Sequence, residues 1–289
     1  MKPIISIETG LFVSTTALAI LALFTGIAAP SPQAQVIFLA IGVGIIGLPH
    51  GALDPLLASR AGMLEGWRAK VYFHLIYVFT ATLMLVFWYL APVMALLLFL
   101  AYSALHFAGD WLERPLLVRF TLGASLLGLP AYKYSSEVSH IYTLLSGEAA
   151  QSIAMAQHAM APLWMTIIAA SMVAFLLRGY YDFAIELIAA LAAAIFLPPL
   201  LFFFIYFCML HSPRHFLAIW RASVDRRGAL RTAAGYTVLA ILISIPAALH
   251  FAKLGGITTS LQQIVFIGLA ALTVPHMVLT SILERRRHV

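Results

Sequence analysis

Leu197-Pro-Pro-Leu-Leu-Phe-Phe-Phe-Ile-Tyr-Phe-Cys-Met-Leu210 runs without a charge into His211-Ser-Pro-Arg-His215. The first part is a segment that hydrocarbon would accept. The second sets two imidazoles at i and i+4, the spacing that puts both on one helix face and lets a single helix offer two nitrogens to one ion. An apolar helix that nears its end on a histidine pair reads as a membrane span with a polar site close to one surface.

The rest of the chain agrees. Hydrophobic residues make up 63% of the 289 and charged residues 10%, against about 25% charged in soluble domains, and mean hydropathy is +0.98. The formal charge of +6 does not indicate nucleic acid, because the basic residues are scattered in short segments between apolar runs and so report topology. The single cysteine, Cys208, excludes an internal disulfide and a multi-cysteine zinc site. It is read as a small buried residue.

Spans need about 20 apolar residues, with Pro, Gly and charge marking the breaks. The sequence then predicts an all-α polytopic transmembrane helix bundle of eight to ten spans, ten as drawn, in one integral membrane domain over residues 1–289. The predicted spans lie at about 11–29, 34–53, 71–90, 92–109, 116–133, 161–178, 181–197, 199–220, 233–252 and 262–282. The first is longer than the roughly 7–15 residues of a signal h-region and is read as a retained helix. With the amino terminus cytoplasmic, every Lys and Arg except Lys133 and Lys253 falls on the cytoplasmic side. That asymmetry predicts both termini inside, in a cytoplasmic (inner) membrane. The long outer connection, about 134–160, is predicted to be an interfacial helix.

On this topology His50, His106, His211, His215 and His276 all sit in the cytoplasmic halves of inward-running helices, in a layer about 9 Å deep. Ionisable groups at membrane depth are expensive and mark functional sites, and neutral imidazole is the commonest metal ligand. His50-Gly-Ala-Leu-Asp54 and His106-Phe-Ala-Gly-Asp110 share the pattern His-x-Ala-x-Asp. Asp54 and Asp110 are expected to accept the second N–H of their own histidine and fix its tautomer; alternatively Asp110 ligates the metal directly. His276 is either a fifth ligand or a neighbour of the ligands. Glu186 is the only glutamate within a span and lacks a Glu-x-x-His partner, which argues against a carboxylate-rich di-iron site. Pro213 is expected to bend or end its helix, Gly47 and Gly51 to permit close helix approach, and most aromatics of the run from Phe202 to Phe216 to face lipid, with a few lining a slot for an extended apolar substrate.

The motifs Gly47-Leu-Pro-His50-Gly-Ala-Leu-Asp54, Ser103-Ala-Leu-His106-Phe-Ala-Gly-Asp110, His211-Ser-Pro-Arg-His215 and Val274-Pro-His276-Met277, in that order, resemble those of the Brp/Blh family of membrane-integral β-carotene 15,15′-dioxygenases. The resemblance implies a non-haem Fe(II) enzyme that cleaves the central double bond of β-carotene with O2 to two all-trans retinal, with His50, His106, His211 and His215 as iron ligands. The expected partners are β-carotene and O2 as substrates, retinal as product and membrane lipid, with a rhodopsin apoprotein as a candidate acceptor of retinal that the sequence itself does not reveal. Two competing classes are a histidine-ligated metal transporter and a haem-binding membrane protein. The first predicts polar groups continuing across the bilayer, which the outer halves of these spans largely lack. The second needs histidines on opposite haem faces, which a pair on one helical turn cannot supply. A retinal photoreceptor needs a lysine deep in a helix, and no span has one.

Overall fold

The computed structural model describes residues 6–26, 30–111 and 116–287, and among them every regular element is helical. Lys2, Arg114 and His288 lie outside the described residues. Twelve helices are numbered here: α1 Ile7–Phe24, α2 Pro32–Arg60, α3 Gly66–Leu90, α4 Pro92–Ala108, α5 Leu116–Tyr132, α6 Ser135–Ser146, α7 Glu148–Ala159, α8 Ala161–Leu177, α9 Tyr181–Phe196, α10 Pro199–Arg221, α11 Arg226–Gly255 and α12 Ile257–Arg287.

Among the described residues, each of the ten segments predicted to span is mainly helical. Among the described residues, α1, α2, α3, α10, α11 and α12 are long and apolar enough to cross a membrane, and α7 with α8, bent by 51°, makes a seventh if taken as one broken span. The shorter apolar helices α4 and α5 fall below that length. The outward faces fit a lipid solvent: Leu75, Ile76 and Phe79 on α3 and Val238, Leu242 and Ile243 on α11 are all exposed, an apolar surface too extensive for water.

The chain clusters into two compact units. The first comprises residues 1–39 and 96–211, the second 40–95 and 212–289. In the first, α1 packs on α9, α5 on α8 and α8 on α9. Ser6 caps α1, its hydroxyl accepting from the Thr9 amide. Glu186, fully buried on α9, accepts from the Thr9 hydroxyl and, at 3.0 Å, from Trp111 Nε1, so one carboxylate ties α9 to α1 and to the turn after α4. Gly123 is where α5 meets α4: a Cβ there would lie 1.8 Å from the Ala104 carbonyl oxygen. The predicted interfacial segment is α6 and α7; α6 buries Val138, Ile141, Tyr142 and Leu145 along one face. Burial pushes the Tyr142 phenol up to about 12, and its hydroxyl donates to Gln157 Oε1 at 2.9 Å.

In the second unit α12 packs on α11 and α3, and residues 212–221 of α10 pack on residues 48–51 of α2. Leu53, Ala229 and Ala233 form a buried cluster against Leu56, Phe216, Ile219 and Trp220. Asp225 caps α11, accepting from the Gly228 amide at 2.8 Å. Gly51 was expected to allow close helix approach, yet a Cβ there meets nothing within 4 Å, whereas at Gly123 and Gly128 of the first unit it would meet a neighbouring helix.

Candidate metal centre

Two histidine-bearing helices share a local irregularity. Residues 43–47 of α2 and 207–211 of α10 are π-helical, and each π turn is followed two residues later by a proline, Pro49 and Pro213. A proline has no N–H and crowds the carbonyl four residues before it. Widening the preceding turn accommodates that crowding, so of the two outcomes expected at Pro213, a bend or an end, the helix does not end there but continues to Arg221. π turns recur at functional sites, and here the consequence is geometric. In an α-helix residues five apart point about 140° apart. A π turn repeats at five, so Tyr206 and His211 come onto one face.

In the first unit both of these side chains reach the same carboxylate. His211, fully buried, donates from Nδ1 to Asp110, with Oδ2 at 3.0 Å and Oδ1 at 3.2 Å. The Tyr206 hydroxyl donates to Asp110 Oδ2 at 2.8 Å. Because a carboxylate only accepts, the proton of neutral His211 is on Nδ1 and Nε2 carries a bare lone pair. Facing it at 3.0 Å is Nε2 of His106, near the end of α4. Two nitrogens so spaced match neighbouring ligands of one ion bound at roughly 2.1 Å. The His211 ring is fixed further by Phe207, stacked at 5.5 Å, and by Phe107, edge-on at 4.8 Å.

The second unit repeats the plan. His276 on α12 donates from Nδ1 to Asp54 Oδ1 at 2.8 Å and lies 3.0 Å from Oδ2; Tyr77 on α3 donates to Oδ2 at 2.9 Å. His50 hydrogen-bonds through Nδ1 to the Gly47 carbonyl, which again leaves Nε2 as the acceptor. The His50 ring lies 5.5 Å from that of His276, at 87°, and 6.2 Å from that of His215.

The structure therefore gathers His106, His211 and Asp110 in one unit and His50, His215, His276 and Asp54 in the other. Each aspartate braces a histidine from a distant helix. Asp54 serves His276 and Tyr77 rather than His50, whose Nδ1 is satisfied within its own helix. Sequence reasoning missed Tyr77 altogether, and Tyr206 stood in a run of aromatics read mainly as lipid-facing. Phe202, Tyr206 and Phe207 are instead buried, because α1 covers this part of α10. Cys208 is fully buried, as expected. The remaining described histidines lie apart from these clusters: His74 bonds Tyr236 at 2.6 Å, His158 bonds the Ala131 carbonyl, and His140 and His250 are exposed.

These features define an integral membrane protein whose buried imidazoles, held as acceptors by carboxylates, are suited to a metal ion. The sequence profile of the β-carotene 15,15′-dioxygenase family matches residues 41–284. The β-carotene 15,15′-dioxygenase of uncultured marine bacterium 66A03 is 31% identical over 261 residues, covering 84% of this chain and 92% of that protein. No solved structure matches the chain. The chain belongs to the β-carotene 15,15′-dioxygenase family, and is thereby an oxidoreductase.

Proposed function

We propose that this chain cleaves the central 15,15′ double bond of β-carotene with O2 to give two all-trans retinal, and that His50, His106, His211 and His215 hold Fe(II) for the reaction. The observation that carries the reading is the 3.0 Å approach of His106 Nε2 to His211 Nε2, with Asp110 holding the His211 proton on the far nitrogen. Inclusion of all four histidines in one ligand set rests on the sequence, since His211 and His215 are four residues apart on α10. When bound, Fe(II) supplies the redox chemistry that couples O2 to the polyene.

What the protein's own residues do follows from their settings. Asp110 and the Gly47 carbonyl keep His211 and His50 in the ligating tautomer. Phe107 and Phe207 pack on the His211 ring and exclude water from that side, which limits side reactions. One carbon–carbon double bond is broken and two carbonyl bonds form, both oxygen atoms coming from O2, with no proton gained or lost. No general acid or base therefore has to reach the substrate. The remaining task is to hold the polyene with its central bond at the metal.

The exposed apolar helices and the one-sided distribution of Lys and Arg support a single domain in the cytoplasmic (inner) membrane with both termini cytoplasmic. β-Carotene then enters from lipid, and retinal leaves to lipid or to an acceptor such as a rhodopsin apoprotein. Expression in β-carotene-producing bacteria tests the reading. Loss of colour with retinal appearing supports it, and colour that persists alongside folded, iron-loaded protein overturns it.

A further inference from the structure

The His211–Asp110–Tyr206 and His276–Asp54–Tyr77 arrangements join the same groups in the same way. In both, an imidazole Nδ1 lies within 3.2 Å of both carboxylate oxygens. A tyrosine hydroxyl donates to Oδ2 of the same carboxylate, at 2.8 and 2.9 Å. The aspartates are almost wholly buried, at 5% and 0% exposure, so water is not at hand to hold either group in place. Each aspartate also closes a His-x-Ala-x-Asp stretch, and the histidine that opens the stretch neighbours the braced one: His106 beside His211 at 4.7 Å between ring centres, His50 beside His276 at 5.5 Å.

From this correspondence we infer that Tyr77 and Tyr206 are positioning residues for the metal ligands, and that His276 is itself a ligand, standing to His50 as His211 stands to His106. The tyrosine acts through the aspartate. Its hydroxyl fixes the rotation of the carboxylate, so that both oxygens stay turned toward Nδ1 and the ring can present only Nε2 to the ion. The two halves reach this state by different routes. Tyr206 is brought to Asp110 by the π turn of its own helix, whereas Tyr77 comes to Asp54 from α3, with His276 arriving from α12. That two unlike routes end in one arrangement argues that the arrangement is what the fold retains. The inference rests on the metal-dependent reading given above and adds three residues to it.

The test uses the full chain in detergent, loaded with Co(II), whose visible absorption reports the ligand set, and with affinity measured by competition against a chelator. Tyr206→Phe and Tyr77→Phe remove one oxygen each and leave the ring contacts. Each is expected to weaken Co(II) binding about tenfold and to alter the visible band, with little change in unfolding temperature for Tyr77→Phe. His276→Gln is expected to change the band more strongly than either. Wild-type affinity and an unchanged band in both tyrosine variants would overturn the positioning role, and an unchanged band in folded His276→Gln would remove His276 from the ligand set. Those failures leave carotene cleavage by the wild-type chain intact, whereas a wild-type chain that takes up neither Fe(II) nor Co(II) would sink the iron reading itself, and this inference with it.

Discussion

His211 and His276 have the same partners and different surroundings. The His211 ring is stacked on Phe207, edge-on to Phe107 and near Tyr206, which in turn stacks on Trp111 at 6.0 Å; Trp111 donates to the buried Glu186. Against the His276 ring lies another imidazole, that of His50, and its aspartate is held by Tyr77, whose own ring packs against Phe73 at 5.9 Å. The first half is fixed by aromatic packing among α1, α4 and α10, tied to α9 through Glu186. The second is fixed by hydrogen bonds at proline-marked points, Pro49 before His50 and Pro275 before His276. Damage to the first half should therefore disturb both fold and metal, and damage to the second chiefly the metal.

The largest effects are expected at the ligands. His106→Ala and His211→Ala in one half, and His50→Ala and His215→Ala in the other, should each reduce retinal formation to background and leave the purified chain without iron, read by metal analysis beside an activity assay. Full activity in both variants of either half would mean that the other half alone holds the working ion. Next come Asp110→Asn and Asp54→Asn, for which a 10–100-fold loss of metal affinity or turnover is expected. Asp110→Asn should also lower the unfolding temperature more, because its carboxylate is joined through Tyr206 and Trp111 to the packing of the first unit. Equal thermal shifts in the two variants would break the distinction between the halves.

Much of this was legible in the sequence, for reasons that mark where it was not. Apolar runs of membrane length declare helices because the bilayer leaves the backbone no other way to satisfy its polar groups. The His-x-Ala-x-Asp echo drew attention to His50, Asp54, His106 and Asp110, which the structure places in the two histidine clusters. It did not show which pairs with which, since spacing along an α-helix sees only partners four residues away. Asp54 takes its histidine from 222 positions further along the chain. Tyr206 was hidden by the assumption of α geometry, under which it and His211 diverge. Pro213 was visible and was expected to bend or end its helix, but spacing alone did not show that the turn before it would widen.

The smallest effects compare one glycine from each half. Gly123→Ala would drive a Cβ to 1.8 Å from the Ala104 carbonyl oxygen, a backbone atom two residues before His106 that has no rotamer by which to escape. Helices α4 and α5 must separate, with a cost of about 1–3 kcal/mol as for overpacked cores, and His106 moves with α4. Both unfolding temperature and metal affinity should fall. Gly51→Ala lies next to His50, yet its Cβ enters open space. There the gain from restricting a helical glycine, about 0.5–1 kcal/mol, should dominate, leaving the chain as stable as the parent or slightly more so, with iron content unchanged. Thermal unfolding of the two variants side by side in the same detergent decides the matter. A loss at Gly51 as large as that at Gly123 would mean that the second half is packed as tightly as the first, and that its histidines are held by more than hydrogen bonds.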